Sequence, residues 1–227
     1  MISLKLVESI ASTRPEADHS VEQVLMTSES MRQQGVYLRE MIEPGVAVAS
    51  LGDDDHMTIL LNAIMPVHVT VFENDDRIIH NLKSQAAQRG FEQYDVIKHD
   101  LRLQVPQEYE ERYDICLSNP PYSSKNEAFG IKTWIARSVK LLRVGGKGLV
   151  VIPLQEELPW SLHNMILVQD YLGELGCAIT RIDKDVHAYD GANDVGLMSS
   201  NIWYQRVQAP NQDAFIGDVE DVNTLYR

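Results

Sequence analysis

The chain has 227 residues, the size of one α/β domain, with 44% hydrophobic and 23% charged residues. Its formal charge of -13 repels phosphate backbones and attracts cations, so DNA or RNA would need a local basic patch or a partner subunit, and a small polycation is the natural ligand. No apolar run approaches the ~20 residues of a membrane span, the N-terminus does not read as a secretory signal, and a cytoplasmic location is the default expectation.

Residues 1–45 read as a polar, helix-forming lead-in. Within it, residues 23–40 set Val24, Met31, Val36 and Leu38 among polar side chains, and Glu43-Pro44-Gly45 forces a turn. Residues 46–208 read as a transferase-type domain. A short apolar run at 46–51 predicts a buried strand ending at Gly52. A helix follows at 57–64, and Pro66 ends it. A second strand at 67–72 is closed by Glu73. A helix at 75–89 has acids in its first turn and Gly90 just beyond its end. Strands are predicted at 94–98 and 113–118, then a helix at 128–142 that the pair Gly145-Gly146 ends as a C-cap. A fifth strand at 149–152, a helix at 160–175 and a strand pair at 178–186 and 201–207 complete the domain. Residues 209–227 form an acidic tail. Strands alternating with helices imply a Rossmann-like α/β fold: a mostly parallel seven-stranded sheet with helices on both faces. Ligands of such sheets bind at the carboxyl ends of the strands.

The motifs fall at those ends. Gly52 supplies the turn after strand one, and Glu73 lies 21 residues later, placed for ribose hydroxyls. Asp100 follows strand three, placed for a base edge. The plainer reading of Glu73 and Asp100 is that they cap helices or turns. Asp53, Asp54 and Asp55 after Gly52 repel a pyrophosphate and suit a sulfonium with a free amine. A donor without any carboxylate, such as decarboxylated S-adenosylmethionine, suits them best. Acids at a helix N-terminus also have a purely local explanation in the dipole. Asn119-Pro120-Pro121-Tyr122 follows strand four. The Asn119 oxygen and a prolyl carbonyl can accept from one amino group and aim its lone pair at an electrophilic carbon, and Tyr122 offers a ring face to a base or a cation. His56 reads as cavity lining, a general base or an ordinary packed residue, and His68 as a core residue. Trp160 is a candidate roof, and Ala188-Tyr189-Asp190-Gly191 a candidate lid. Cys116 and Cys177 read as buried free thiols, and no grouping has a trustworthy metal spacing.

Asn119–Tyr122 resembles the Asn/Asp/Ser-Pro-Pro-Tyr/Phe motif of class I methyltransferases that modify amino groups. A closer resemblance, over about residues 23–189, is to the branched-chain polyamine synthases, the bis(aminopropyl)spermidine synthases. It rests on the Gly-Asp-Asp-Asp loop at 52–55, on Gln23, Thr27, Glu29 and Arg32, and on Asp100-Leu101-Arg102 followed by Tyr113-Asp114. The resemblance implies a class I methyltransferase-like fold and aminopropyl transfer from decarboxylated S-adenosylmethionine to a spermidine nitrogen. It implies a donor site of Gly52, Asp53, Asp54, Asp55, Glu73, Asn74, Asp100, Leu101 and Thr27, and chemistry at Asn119, Pro120, Tyr122 and Asp53. One departure matters. That family carries Asp before Pro-Pro as the proton acceptor, and an amide at Asn119 takes no proton at neutral pH. Three functions follow as expectations: aminopropyl transfer to a polyamine; methyl transfer from S-adenosylmethionine to adenine or to a glutamine amide; and a degenerate, non-catalytic transferase fold in a complex. A homodimer is compatible with each.

Overall fold

A computed structural model of the chain describes residues 2–19, 23–190 and 197–226. The lead-in folds as two helices. The first, α1 (Leu4–Ala11), buries Val7 and Ile10. The second, α2 (Ser28–Met41), is capped by Thr27, whose hydroxyl accepts from the Ser30 amide at 3.1 Å. Ser30, Met31, Gln34, Gly35 and Leu38 recur at helical spacing and form the buried face of α2. Gly35 permits the close approach there, since a Cβ would lie 2.9 Å from Leu60.

Strands and helices then alternate as β1 (Ala47–Leu51), α3 (Met57–Ile64), β2 (His68–Glu73), α4 (Asp76–Arg89), β3 (Tyr94–Lys98), β4 (Tyr113–Ser118), α5 (Phe129–Leu141), β5 (Leu142–Ile152), α6 (Pro159–Glu174), β6 (Cys177–His187), β7 (Ser199–Arg206) and a terminal turn of helix, α7 (Asn223–Tyr226). The seven strands form one sheet in the order β3-β2-β1-β4-β5-β7-β6. The first five are parallel to their neighbours, and β7 runs antiparallel to both β5 and β6. Side chains alternate between the two faces. Ala49, Leu51, Phe72, Cys116, Val150 and Ile152 pack with α5 and α6. Val48, Val69, Val71, Ile115, Leu117, Leu149 and Val151 pack beneath α1 to α4. From the central pair β1 and β4 the chain leaves in opposite directions, so the crevice between their carboxyl ends is the topological switch point. Among the described residues no helix is long and apolar enough to cross a membrane.

Two expectations are corrected. Gly145-Gly146 does not end a helix. Helix α5 stops at Leu141, and Leu142 already pairs with Tyr113 as the start of an 11-residue β5. The glycines form an irregularity where the register shifts between Tyr113 and Ile115. A Cβ on Gly146 would lie 2.9 to 3.2 Å from the carbonyl oxygens of Arg143, Tyr113 and Asp114. A glycine pair after a helix reads locally as a cap, and the packing that makes it a bulge comes from β4. His68 is exposed rather than packed in the core, because it opens β2 where the strand emerges.

The acidic tail, whose order the sequence leaves open, is docked. Arg137 of α5, 1% exposed, donates to the carbonyls of Leu101, Arg102, Ile216 and Gly217 at 3.2, 2.9, 2.5 and 2.7 Å. The Val219 amide donates to the Arg102 carbonyl, and Leu225 is fully buried. Sequence alone does not separate a buried cation on α5 from a surface one. Cys116 and Cys177 are buried free thiols.

Candidate active site

A cavity of about 960 Å³ opens at the carboxyl ends of β1 to β4. Each loop that sequence spacing assigned to a strand end contributes to its wall.

After β1, Gly52 turns with φ +76° and donates to the Phe72 carbonyl at 2.8 Å. The three acids that follow have separate fates. The Asp53 carboxylate turns back under α3 and accepts from the Met57 and Thr58 amides at 2.8 and 3.0 Å and from the Thr58 hydroxyl. Burial pushes its pKa up to about 8, the charge of Asp54 adding and the Thr58 and Met57 bonds opposing. Asp55 faces the lead-in, where it accepts from the Met26 amide at 2.7 Å and pairs with Arg14 at 3.2 Å. Burial raises it to about 7 against the Met26 amide and the Arg14 charge. Asp54 lines the cavity, and among the described residues no side chain donates to it. Burial and the charges of Asp55 and Glu73 hold its carboxyl well above the usual range.

Glu73 closes β2 and accepts from the amides of Asn74, Asp75 and Asp53 at 2.7, 2.8 and 3.2 Å; burial raises its pKa despite them. Asn74 lies beside it in the wall. Beyond β3, burial pushes the Asp100 carboxyl up, but the fork from Arg102 at 2.9 and 2.6 Å carries it below the ordinary range. Leu101 lines the same wall. After β4, Asn119, Pro120, Pro121 and Tyr122 face the cavity, and the Tyr122 ring stacks on Trp160 at 6.1 Å with an 18° interplanar angle.

Thr27 is outside this wall. It caps α2, and its amide donates to the Ala188 carbonyl. The lead-in nonetheless enters the site through Asp18, His19, Gln23, Val24 and Met26. Met26 and Tyr189 form an antiparallel bridge, so the 188–190 segment and the lead-in together roof the cavity; Gly191 lies outside the described residues. His56 is fully buried behind the loop in a left-handed conformation, φ 55°. Burial and Arg14 lower its pKa to about 4. Sequence reading missed Arg14, which sorts the acids, and Gln34 and Leu38 of α2, which reach the cavity from the other side. A glutamine on the apolar stripe between Met31 and Leu38 was the available signal.

The site therefore has an acidic half at the ends of β1 to β3 and a neutral half around β4, β5 and α2. A family model described as the branched-chain polyamine synthase A C-terminal domain matches residues 3–215. No curated protein matches. Among solved structures, the branched-chain polyamine synthase of Thermus thermophilus, in complex with N4-aminopropylspermidine and 5'-methylthioadenosine, is 21% identical with a TM-score of 0.81, over 96% of this chain and 67% of that one. A protein of Pyrococcus horikoshii described as an RNA methyltransferase is 13% identical with a TM-score of 0.69, over 92% and 100%. TYW2 of M. jannaschii, in complex with AdoMet, is 13% identical with a TM-score of 0.60, over 80% and 78%. At these identities the structural likenesses establish the fold, a methyltransferase-like one.

Proposed function

The chain belongs to the branched-chain polyamine synthase A C-terminal domain family, and from this premise we propose that it transfers an aminopropyl group from decarboxylated S-adenosylmethionine to an amine nitrogen of a polyamine. The observation that carries this reading is the charge of the donor half. Asp54 faces the cavity beside Asp53, Asp55 and Glu73, while Arg14 is engaged by Asp55 and Arg102 by Asp100. A donor with its own carboxylate adds a negative charge beside carboxyls whose ionisation is already disfavoured, whereas a sulfonium and an amine favour their ionised forms. The molecules held by the Thermus synthase match a transferred aminopropyl group and the thioether that remains.

In the reaction the acceptor nitrogen attacks the carbon next to sulfur. The N–C bond forms, the C–S bond breaks, and its electron pair leaves on sulfur as the neutral thioether. The Asn119 oxygen or a prolyl carbonyl accepts the N–H of the acceptor nitrogen and holds its lone pair in line. The new ammonium must lose a proton, and the Asn119 amide takes none. Asp53 is occupied under α3 and Asp55 by Arg14, so Asp54 is the acceptor. Burial and the charges of Asp55 and Glu73 raise the affinity of its carboxylate for a proton.

A second reading, amino-methyl transfer from intact S-adenosylmethionine, is favoured by one observation, Asn119 in place of the acid. Calorimetric titration with each donor separates the two. Tighter binding of the decarboxylated donor, with methylthioadenosine released when a polyamine is added, is expected. Preference for the intact donor, without that release, would overturn aminopropyl transfer.

A further inference from the structure

The neutral half of the cavity is a built chamber. Leu117 and Leu149 are in-register neighbours on β4 and β5, and Val151 of β5 lies opposite Asn201 of β7. Leu117, Leu149, Val151 and, from α2, Leu38 line the cavity and carry no polar side-chain atom. Gln34, one turn before Leu38 and 4% exposed, brings the one polar side chain of α2 into this wall.

Gln34 is fixed in place. Its Nε2 donates to Asn201 Oδ1 at 3.2 Å, and its Oε1 accepts from Asn201 Nδ2 at 2.8 Å. Asn201 is 1% exposed, and its Oδ1 also accepts from His187 Nε2 at 2.8 Å, which assigns the imidazole proton to that nitrogen. Burial lowers the His187 pKa and keeps the ring neutral. The Gln34 amide has two N–H groups and two acceptor lone pairs. Asn201 engages one of each. One donor and one acceptor remain on an amide that lines the cavity beside these apolar side chains, where unmet polar groups are costly.

We propose that Gln34 is a specificity-determining residue: the non-reacting arm of the acceptor lies along Leu38, Leu117, Leu149 and Val151, and Gln34 reads the primary amine at its end. Methylenes match the apolar wall. A terminal amine donates to Gln34 Oε1 and, when neutral, accepts from Nε2. Asn201 and His187 are positioning residues that hold the Gln34 amide. This rests on the aminopropyl-transfer reading.

The test compares two acceptors with the full chain and decarboxylated S-adenosylmethionine: spermidine, and N-butylpropane-1,3-diamine, which keeps the four-carbon arm and lacks its terminal amine. Methylthioadenosine release gives kcat and KM for each. The wild type is expected to prefer spermidine roughly tenfold in kcat/KM, the scale of one buried hydrogen bond to an amine. Gln34→Met fills the same volume and is expected to abolish the preference by raising KM for spermidine. Gln34→Glu is expected to raise the preference above that of the wild type, because a carboxylate there meets an ammonium. A spermidine preference unmoved in both variants would overturn the assignment while leaving aminopropyl transfer intact. No release by the wild type with either amine would overturn both. Should Gln34→Met fail to fold, Gln34→Glu alone decides by the change in the ratio.

Discussion

Arg137→Met removes the guanidinium that ties the tail to the loop after β3 and keeps most of the apolar stem. Four backbone carbonyls lose a charged donor. Bonds to a charged group contribute about 1.5–3 kcal/mol each, so the gross loss is roughly 6–12 kcal/mol. Two effects oppose it. The desolvation cost of a buried cation, several kcal/mol, disappears, and the carbonyls of Ile216 and Gly217 regain water once the tail lifts. A net loss of about 3–5 kcal/mol is expected. For a chain of this size that is a fall in Tm of roughly 10 °C. Differential scanning calorimetry measures it directly. Because Leu101 and Arg102 line the cavity, calorimetric affinity for the donor is expected to fall too. A Tm within about 2 °C of wild type, on that same scale, would refute the claim that the guanidinium holds the tail.

Asp54→Asn keeps the side-chain shape and removes the proton acceptor, so kcat is expected to fall by about 10²–10⁴ at neutral pH, while Asp53→Asn mainly lowers stability; equal kcat losses with equal Tm values would contradict the separate roles. Burial pushes Asp53 and Asp55 up to about 8 and 7, from an ordinary aspartate value of 3.8. The unfolded chain gives up these protons at lower pH, so the unliganded protein loses stability as pH rises through the folded values. Toward pH 8 the histidines His56, His99 and His187, lowered by burial in the fold, are neutral there and nearly so in the unfolded chain, so the acids set the sign of the slope. Urea unfolding at the two pH values checks the sign, and Asp53→Asn is expected to flatten it. Gly146→Ala forces a Cβ against three backbone oxygens and is expected to cost about 1–3 kcal/mol, read by the urea midpoint.

The strand ends were legible because their signals are local: an apolar run, a turn residue and an acid at fixed spacing put Gly52, Glu73, Asp100 and Asn119 around one crevice. What each acid does was not legible. Three consecutive aspartates look alike in sequence, and their roles are set by Arg14 and Met26, 41 and 29 residues before Asp55. The Gln34–Asn201 pair joins positions 167 residues apart, so neither residue alone suggests a chamber. The bulge at Gly145-Gly146 was misread, and the docking of the tail left open, for the same reason. Their neighbours come from β4 and from the loop after β3, and local pattern carries no record of either.

The roof of the cavity joins the two ends of the fold. The Thr27 amide reaches the Ala188 carbonyl, and the Asp190 amide reaches the Leu25 carbonyl. Contacts of such long sequence separation carry a large loop-closure entropy and form only when the elements between them are in place. The roof is thus expected to assemble only after the sheet between its two halves is in place. Entry of a ligand and a late step of folding then share one coordinate, and a filled site slows amide exchange at Thr27 and Asp190 ahead of the rest of the sheet.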